Sequence, residues 1–372
     1  MAKFPRNEIM SLVGGSPRYD LAESYGPDLR LGDLMDAQSL GALALGYGTP
    51  AGDPRLRQAI AELHGVDPDD VIVTVGGMQA LFLAAFVLLG SGDEAVTTSP
   101  LFPQARNVLE TVGATVRTVP LTFERGYRPD LADFRRLLSA KTRLVSLATP
   151  QNPSGVALAP GMLRDLLALM AEICPDAHLL IDETYREAAY GQDRVAASVV
   201  ALGPKVIVTA SLSKAHGAPG LRLGWAVTRD PDLREQLVLG KFNTAIACSA
   251  VDEALALALL QRRGTILAER RERLAAGLAR TAAWGEAHGH FVDWVRPDAG
   301  AICCIRLKPA RFDDAAVDRF HGELAREGVR VANGAWFGDA ARVFRLGFGL
   351  LAMPDLEAAL GGLSATLARL AG

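Results

Sequence analysis

The chain is short of cysteine, of aromatic residues and of net charge. Among 372 residues the cysteines are Cys174, Cys248, Cys303 and Cys304. No two form a C-x-x-C pair, so neither a zinc ribbon nor a dithiol redox motif is present, and the thiols are expected to stay reduced. The six histidines include the H-G-H of His288 and His290 but no H-E-x-x-H, and no metal site is expected. Lys plus Arg (39) nearly cancel Asp plus Glu (42), leaving a formal net charge of −3. Without a basic stripe, nucleic acid is not an expected partner. The opening MAKFPRNEIMSLVGG has no apolar signal core. The longest apolar run, residues 80–89, falls far below the ~20 residues that span a bilayer. No membrane partner is expected, and a cytoplasmic location is. What is plentiful is apolar: 49% hydrophobic against 22% charged residues. That is too apolar for disorder and enough for two or three domains.

Between residues 71 and 227, short apolar runs alternate with helix-length segments. The runs are VIVTV (71–75), EAVTT (94–98), TVRTV (115–119), RLVSLA (143–148), HLLID (178–182), KVIVTA (205–210) and LGWAV (223–227). Continuous β-branched or Leu-rich runs of this length mark strands buried on both faces. Helices are expected over 78–89, 104–112, 131–138 and 161–173. The alternation predicts an α/β domain with a mostly parallel sheet. The last third predicts a second, α+β unit. It has helices over 251–260 and 266–284, punctuated at Gly264, and strands at 291–295, 301–307, 329–332 and 343–348. Further helices are expected over 315–326 and 354–370. The chain thus divides into an arm and part of the small domain (1–45), a large domain (46–240) and a small C-terminal domain (241–372). There is no internal repeat or low-complexity tract.

The chemistry concentrates where these strands end. SLSKAHGAPGLRLGW (211–225) follows one buried strand and leads into another. A lysine in that setting, Lys214, is partly desolvated, which leaves its amine neutral often enough to react. Ser211, Ser213 and Arg222 offer hydroxyls and a guanidinium to a phosphate dianion. Neither competing glycine motif fits. There is no G-x-x-x-x-G-K-[ST], and GAPGLRLG leads into a strand where a dinucleotide fingerprint opens a helix. TVGGMQALFLAAF (74–86) ends a strand in paired glycines and starts a helix, whose free amides suit an anion. On its own this segment also reads as an ordinary strand–helix turn. In IDETYREAAY (181–190), Asp182 stands at the carboxyl end of a buried strand, where open α/β sheets bind ligands. A carboxylate there calls for a cationic partner, and a protonated pyridine nitrogen would be one. ATPQNPSG (148–155) is a forced loop after a strand.

In order and over most of the chain, these segments resemble the class I/II aminotransferases, fold-type-I enzymes that use pyridoxal phosphate. The resemblance implies an aspartate-aminotransferase-like α/β fold: a large domain with a mostly parallel sheet flanked by helices, plus a smaller α+β domain. It implies that Lys214 holds the cofactor covalently and moves the α-proton. Gly77, Met78, Ser211, Ser213 and Arg222 would bind the phosphate. Asp182 would pair with the ring nitrogen, Tyr185 and Asn152 would reach the ring oxygen, and Phe102 of SPLFPQ would stack on the ring. Asn152 and Arg345 of RVFRLGFG would take the substrate carboxylate, Arg345 in preference to Arg342. Tyr47, in GYGTPAGDPRLR, matches a tyrosine that crosses to the partner's phosphate, so a homodimer with shared sites is implied. In PDAGAICCIRL, Cys303 stands where the family often has an aromatic, which puts the substrate-side pocket in question. Glu23, in YDLAESYGPDLRLGD with Asp20 and Asp28 nearby, lies on a segment that in the family passes the substrate side chain. It would suit a cationic group, although a solvated arm charge is the plainer reading.

The expected activity is amino-group transfer from an L-amino acid to a 2-oxo acid. The same residues would serve other pyridoxal-phosphate reactions: oxidation or cyclisation of an arginine-like substrate, or β-elimination. A DNA-binding regulatory module is disfavoured, because the stretch before Tyr47 is too short for a winged head. A dead scaffold is disfavoured by the complete set Lys214, Asp182, Tyr185 and Arg222.

Overall fold

The structure is a computed structural model that describes residues 4–12, 15 and 17–371. Among them, seven strands make the large sheet: β1 (Val71–Val75), β2 (Glu94–Ser99), β3 (Thr115–Pro120), β4 (Thr142–Ala148), β5 (His178–Asp182), β6 (Val206–Ser211) and β7 (Leu223–Thr228). Their order is β1-β7-β6-β5-β4-β2-β3. The strands β2 to β6 pair in parallel, and β7 runs antiparallel to both β1 and β6.

The strands are apolar at successive positions because helices cover both faces. Ile72, Leu180, Ile207 and Ala226 pack into one layer with Leu81, Leu83 and Ala84 of helix α1 (Gly76–Leu88). Val71, Val73, Val206, Val208 and Val227 pack into the other, against Leu56 and Ile60. Neighbouring residues of a strand point to opposite faces, so each layer takes every second side chain. Each fully buried Val or Ile contributes about 1.5–3 kcal/mol relative to exposure.

Three long helices follow: α2 (Pro231–Ala245), α3 (Ala250–Gln261) and α4 (Arg263–Ala287). The smaller sheet comprises β8 (Val292–Val295), β9 (Ile302–Leu307), β10 (Ala332–Asn333) and β11 (Val343–Gly347). It is antiparallel throughout, in the order β10-β11-β9-β8.

Several expectations are refined. The helix break falls at Arg262, and Gly264 lies within the first turn of α4. The strand expected at 329–332 is two pieces. Val329–Arg330 pairs in parallel with Tyr19–Asp20 and fastens the arm to the small domain, while β10 joins the sheet. Leu255, Ala256, Leu259 and Leu260 of α3 pack into the large-sheet core, whereas Leu267, Leu274 and Leu278 of α4 belong to the small-domain core. The buried faces of α3 and α4 thus belong to different cores. The four cysteines are unpaired and buried. Among the described residues no helix is long and apolar enough to cross a membrane.

Candidate active site

Parallel pairing gathers the carboxyl ends of β2, β4, β5 and β6 on one edge of the sheet, and β1, antiparallel to β7 as β6 is, ends on that edge too. Strand β7 runs the other way, so its start brings Arg222 to that same edge. These ends and Arg345, from β11, enclose a cavity of about 350 Å³. Every site residue expected from the sequence lines it except Tyr47.

One end of the cavity is an anion cradle. Helix α1 starts at Gly76, where φ is +68°, and among the described residues no side chain caps its first amides. The Arg222 guanidinium lies over this start: a Cβ on Gly76 would sit 2.6 Å from Nη2. Arg222 holds a left-handed φ of +48° and donates from Nη1 to the Pro219 carbonyl at 2.8 Å. Ser211 Oγ accepts the Ser213 N–H at 3.4 Å. Gly224 on β7 makes the approach of α1 possible. A Cβ there would meet Gly76 C and Gly77 N at 2.5 Å and Ala210 O at 2.7 Å. Free amides, a guanidinium and two hydroxyls in one place suit a phosphate dianion.

Lys214 Nζ donates to Ser24 Oγ at 2.8 Å and lies 5.2 Å from the centre of the Tyr25 ring. Burial, then the Arg345 charge, brings its amine down to about 8, against the pull of Glu23 and Asp182. An amine so tuned is available as nucleophile and base near neutral pH. Burial pushes the Asp182 carboxyl up, although its Oδ1 accepts the Thr184 N–H at 2.9 Å. That carboxylate is short of a cationic partner. The buried Tyr185 hydroxyl has no hydrogen-bond partner among the described residues. Burial raises it to about 12, so it stays a donor. An orphaned donor, a lone carboxylate and a reactive amine, all beside an anion cradle, fit a phosphorylated heteroaromatic aldehyde.

The substrate side is set by Arg345, which is buried in β11. Its Nη1 donates to Asn152 Oδ1 at 2.8 Å and its Nη2 to the Ala22 carbonyl. Phe337 lies against its guanidinium at 4.7 Å. Arg342 is spent on Asp314 at 2.9 Å and does not line the cavity. Phe102 packs with Ile9, Leu12 and Phe337 and also faces the cavity. Glu23 is half-buried on the cavity wall and has no ion pair or hydrogen bond among the described residues. Asp20 is committed to Arg330, and Asp28 is exposed. Cys303 is buried in the small-domain core, so the departure at that position does not reach the cavity. Tyr47 is 90% exposed, beside the exposed Leu45 and Ile246, and a single chain does not bring it to its own cavity.

Ser24, Thr184 and Gly224 were not singled out from the sequence. Thr184 lies between two residues that were, and its side chain stands 3.8 Å from where a Gly77 Cβ would be. Ser24 carries no periodic or motif signal, because only the folded arm brings it to Lys214. Gly224 reads as one residue of a strand until α1 is seen against it.

A family model described as aminotransferase class I and II matches residues 27–361. Capreomycidine synthase of Streptomyces vinaceus is 33% identical over 335 residues, covering 90% of this chain and 84% of that one. The arginine–pyruvate transaminase of Pseudomonas aeruginosa is 31% identical over 337 residues, covering 84% and 80%. A PLP-dependent aminotransferase from Streptococcus suis superposes with a TM-score of 0.89 at 26% identity, over 99% of both chains. The fold is the aspartate-aminotransferase-like one, and the chain belongs to the class I and II aminotransferase family, whose cofactor is pyridoxal phosphate.

Proposed function

We propose that this protein transfers the amino group of an L-amino acid to a 2-oxo acid. The observation that carries this reading is that Lys214, with its lowered pKa, shares one cavity with Asp182 and the Arg345–Asn152 pair. Bound pyridoxal phosphate supplies an aldehyde for the amino group and a cationic ring that draws electrons from the α-carbon. The Gly77 and Met78 amides, with Ser211, Ser213 and Arg222, hold its phosphate. Asp182 keeps the ring nitrogen protonated, Tyr185 and Asn152 donate to the ring oxygen, and Phe102 packs on the ring. Arg345 takes the substrate carboxylate with its planar fork. Lys214 Nζ removes the α-proton and later returns it, as base and then acid. Ser24 keeps that amine at the cavity wall between the two steps. One oxo acid leaves for each amino acid consumed, and a second oxo acid carries the nitrogen away, so no oxidant is needed. We also propose a homodimer with shared sites, in which Tyr47 and the exposed Leu45 and Ile246 face the partner.

A second reading is a different reaction on an arginine-like substrate. It is favoured by the unpaired Glu23, and by relatives whose names specify arginine in one case and a synthase rather than a transaminase in the other. One experiment separates the two. Single amino acids are added to the holoenzyme without any oxo acid. Transfer is expected to bleach the visible cofactor band, release one oxo acid per site, and restore the band when an oxo acid is added. Repeated turnover of arginine without an acceptor, with oxygen uptake or a cyclic product, would replace transfer with the second reading.

A further inference from the structure

The Lys214 loop and the Asp182–Tyr185 turn are joined a second time, behind the cavity, by a buried side-chain contact that the proposed reaction does not use. His216 follows Lys214 by two residues, and Glu187 follows Tyr185 by two. Both are buried, His216 to 2% and Glu187 to 5% exposure. His216 Nε2 stands 3.2 Å from Glu187 Oε2. Arg263, from the first turn of α4, donates to the other carboxylate oxygen at 2.6 Å.

Burial pushes Glu187 upward, but the hydrogen bond and charge of His216, with Arg263 and Arg186, hold its carboxyl at about 2. The carboxylate is therefore a fixed charge at any working pH. The groups that wall it in are also accounted for. Arg186 is paired with Glu183 at 2.9 Å, and Glu183 lies 3.6 Å from His64. Burial brings His64 down to about 3, so it is neutral. Neither His216 nor Glu187 lines the main cavity.

Three elements meet at this contact: the loop after β6, the turn after β5, and α4, which leads into the small-domain core. The Lys214 loop is anchored elsewhere by Leu212 N–H to the Leu223 carbonyl at 3.1 Å and by Leu29 N–H to the Gly217 carbonyl at 3.0 Å, neither of which joins it to the turn after β5. Its internal bonds include Gly217 N–H to the Lys214 carbonyl at 3.2 Å and Ala218 N–H to the Leu212 carbonyl at 3.1 Å. A proton-transfer amine must be placed to about 0.5 Å relative to the groups it works with, and those bonds do not set the loop against the turn that carries Asp182 and Tyr185. A buried contact two residues away, to a carboxylate that Arg263 also holds at 2.6 Å, supplies that restraint.

We propose that His216 and Glu187 are positioning residues that lock the Lys214 loop against the turn carrying Asp182 and Tyr185, with Arg263 tying the lock to α4. This rests on the reading of Lys214 as the cofactor lysine. The pair acts on proton transfer rather than on binding, because it touches neither ligand. Its two members act as one unit, so losing either forfeits the whole restraint.

The test uses His216→Gln, Glu187→Gln and the double variant, loaded with pyridoxal phosphate. Each single variant is expected to lose about tenfold or more in kcat, with KM and cofactor Kd within about threefold of the parent. The double variant is expected to be no worse than either single one. The pH midpoint of the visible band moves with the lysine in all three. In the cofactor-free protein, backbone hydrogen exchange over residues 212–218 is expected to rise. Glu187→Asp, which keeps the charge, recovers part of kcat. Should the buried variants not fold, Arg263→Gln at the half-exposed end of the contact gives a smaller loss of kcat in the same direction. Additive losses would overturn the proposal, as would parent-like kcat, band midpoint and exchange in loaded, folded variants. Borohydride fixation separates the two claims. Label away from Lys214 defeats the reading of the lysine, whereas label on Lys214 with unaltered variants defeats only the lock.

Discussion

Arg345 Nη1 donates to Asn152 Oδ1 at 2.8 Å, across 193 residues of chain. Arg345 lies on β11 of the small sheet, and Asn152 lies in the loop after β4 of the large one. The contact joins the two cores through the cavity, so the seat of the small domain sets where a carboxylate is received. Arg345→Ala should raise KM for amino acids and lower kcat/KM by about 1.5–3 kcal/mol, roughly one to two orders of magnitude. The cofactor should stay bound and keep its visible band, with the pH midpoint of that band moving upward as the Arg345 charge is lost. Steady-state kinetics on a neutral amino acid checks both, and an unchanged KM would remove Arg345 from the substrate site.

Gly224 carries a different kind of constraint. A methyl group there would collide with the Gly76–Gly77 peptide and with the Ala210 carbonyl, and backbone cannot turn aside as a flexible side chain can. Gly224→Ala should destabilise the protein by about 1–3 kcal/mol through overpacking, and it should displace the start of α1. Cofactor affinity should fall with it. A Cβ at Gly77 meets nothing closer than 3.6 Å, so Gly77→Ala should leave the thermal midpoint nearly unchanged. Equal melting of the two variants would contradict the close approach of β7 and α1.

Much of this architecture was legible because strand burial is written in short apolar runs: HLLID became β5 with the bounds expected for it. Helix α2 was not. Its buried residues Leu233, Leu237 and Lys241 recur every four positions, but Leu239 and Phe242 are apolar on the open side. Two apolar faces cancel the one-sided periodicity that marks a surface helix. The candidate site was read from chemistry at strand ends, and Lys214, Asp182 and Asn152 converge as those motifs require. Ser24 was hidden because its role depends on where an arm with little regular structure finally lies. His216 and Glu187 were hidden because a contact between two loops leaves no spacing in the sequence.

The lowered pKa of Lys214 has a stability consequence whose sign is definite. The amine titrates near 8 in the folded chain against an ordinary 10.5. Between those values the unfolded chain binds more protons at this side chain, so the penalty that Lys214 places on the cofactor-free protein should shrink as pH rises from 8 to 10.5. Below pH 8 the cost of burying the charge is fully present, at about 3 kcal/mol or less. Lys214→Met should therefore stabilise the cofactor-free protein at pH 7, and the advantage should fade toward pH 10.5. Buried tyrosines and cysteines pushed above their ordinary 10 and 9, Tyr185 and Cys303 among them, act in the opposite sense from about pH 9 upward, so the effect is read as the difference between the parent and Lys214→Met. Denaturant titrations at several pH values measure the effect. In the parent protein the rate of cofactor capture should follow the neutral amine, with a midpoint near 8. A profile still rising at pH 10 would contradict the burial argument.

Glu23 is the residue on which substrate choice turns. Among the described residues its carboxylate faces the cavity without a hydrogen-bond or ion-pair partner, and its charge is felt by Lys214, Arg345 and Tyr185. Arg345 is already taken by Asn152 and the Ala22 carbonyl, and Lys214 by Ser24. A guanidinium or ammonium on the substrate would supply the missing partner. Glu23→Gln should then cost arginine and lysine about 1.5–3 kcal/mol in kcat/KM, the range of a hydrogen bond to a charged group. Removing that charge also lets the Lys214 amine fall further, because Glu23 holds it up. That second effect acts on every substrate alike, so the informative quantity is the ratio of kcat/KM for cationic to neutral amino acids. The ratio should drop roughly ten- to hundredfold in Glu23→Gln and less in Glu23→Asp, where the charge survives at a shorter reach. A ratio equal to the parent's, with all rates lowered together, would mean that Glu23 balances the charges of Lys214 and Arg345 and does not read the substrate side chain.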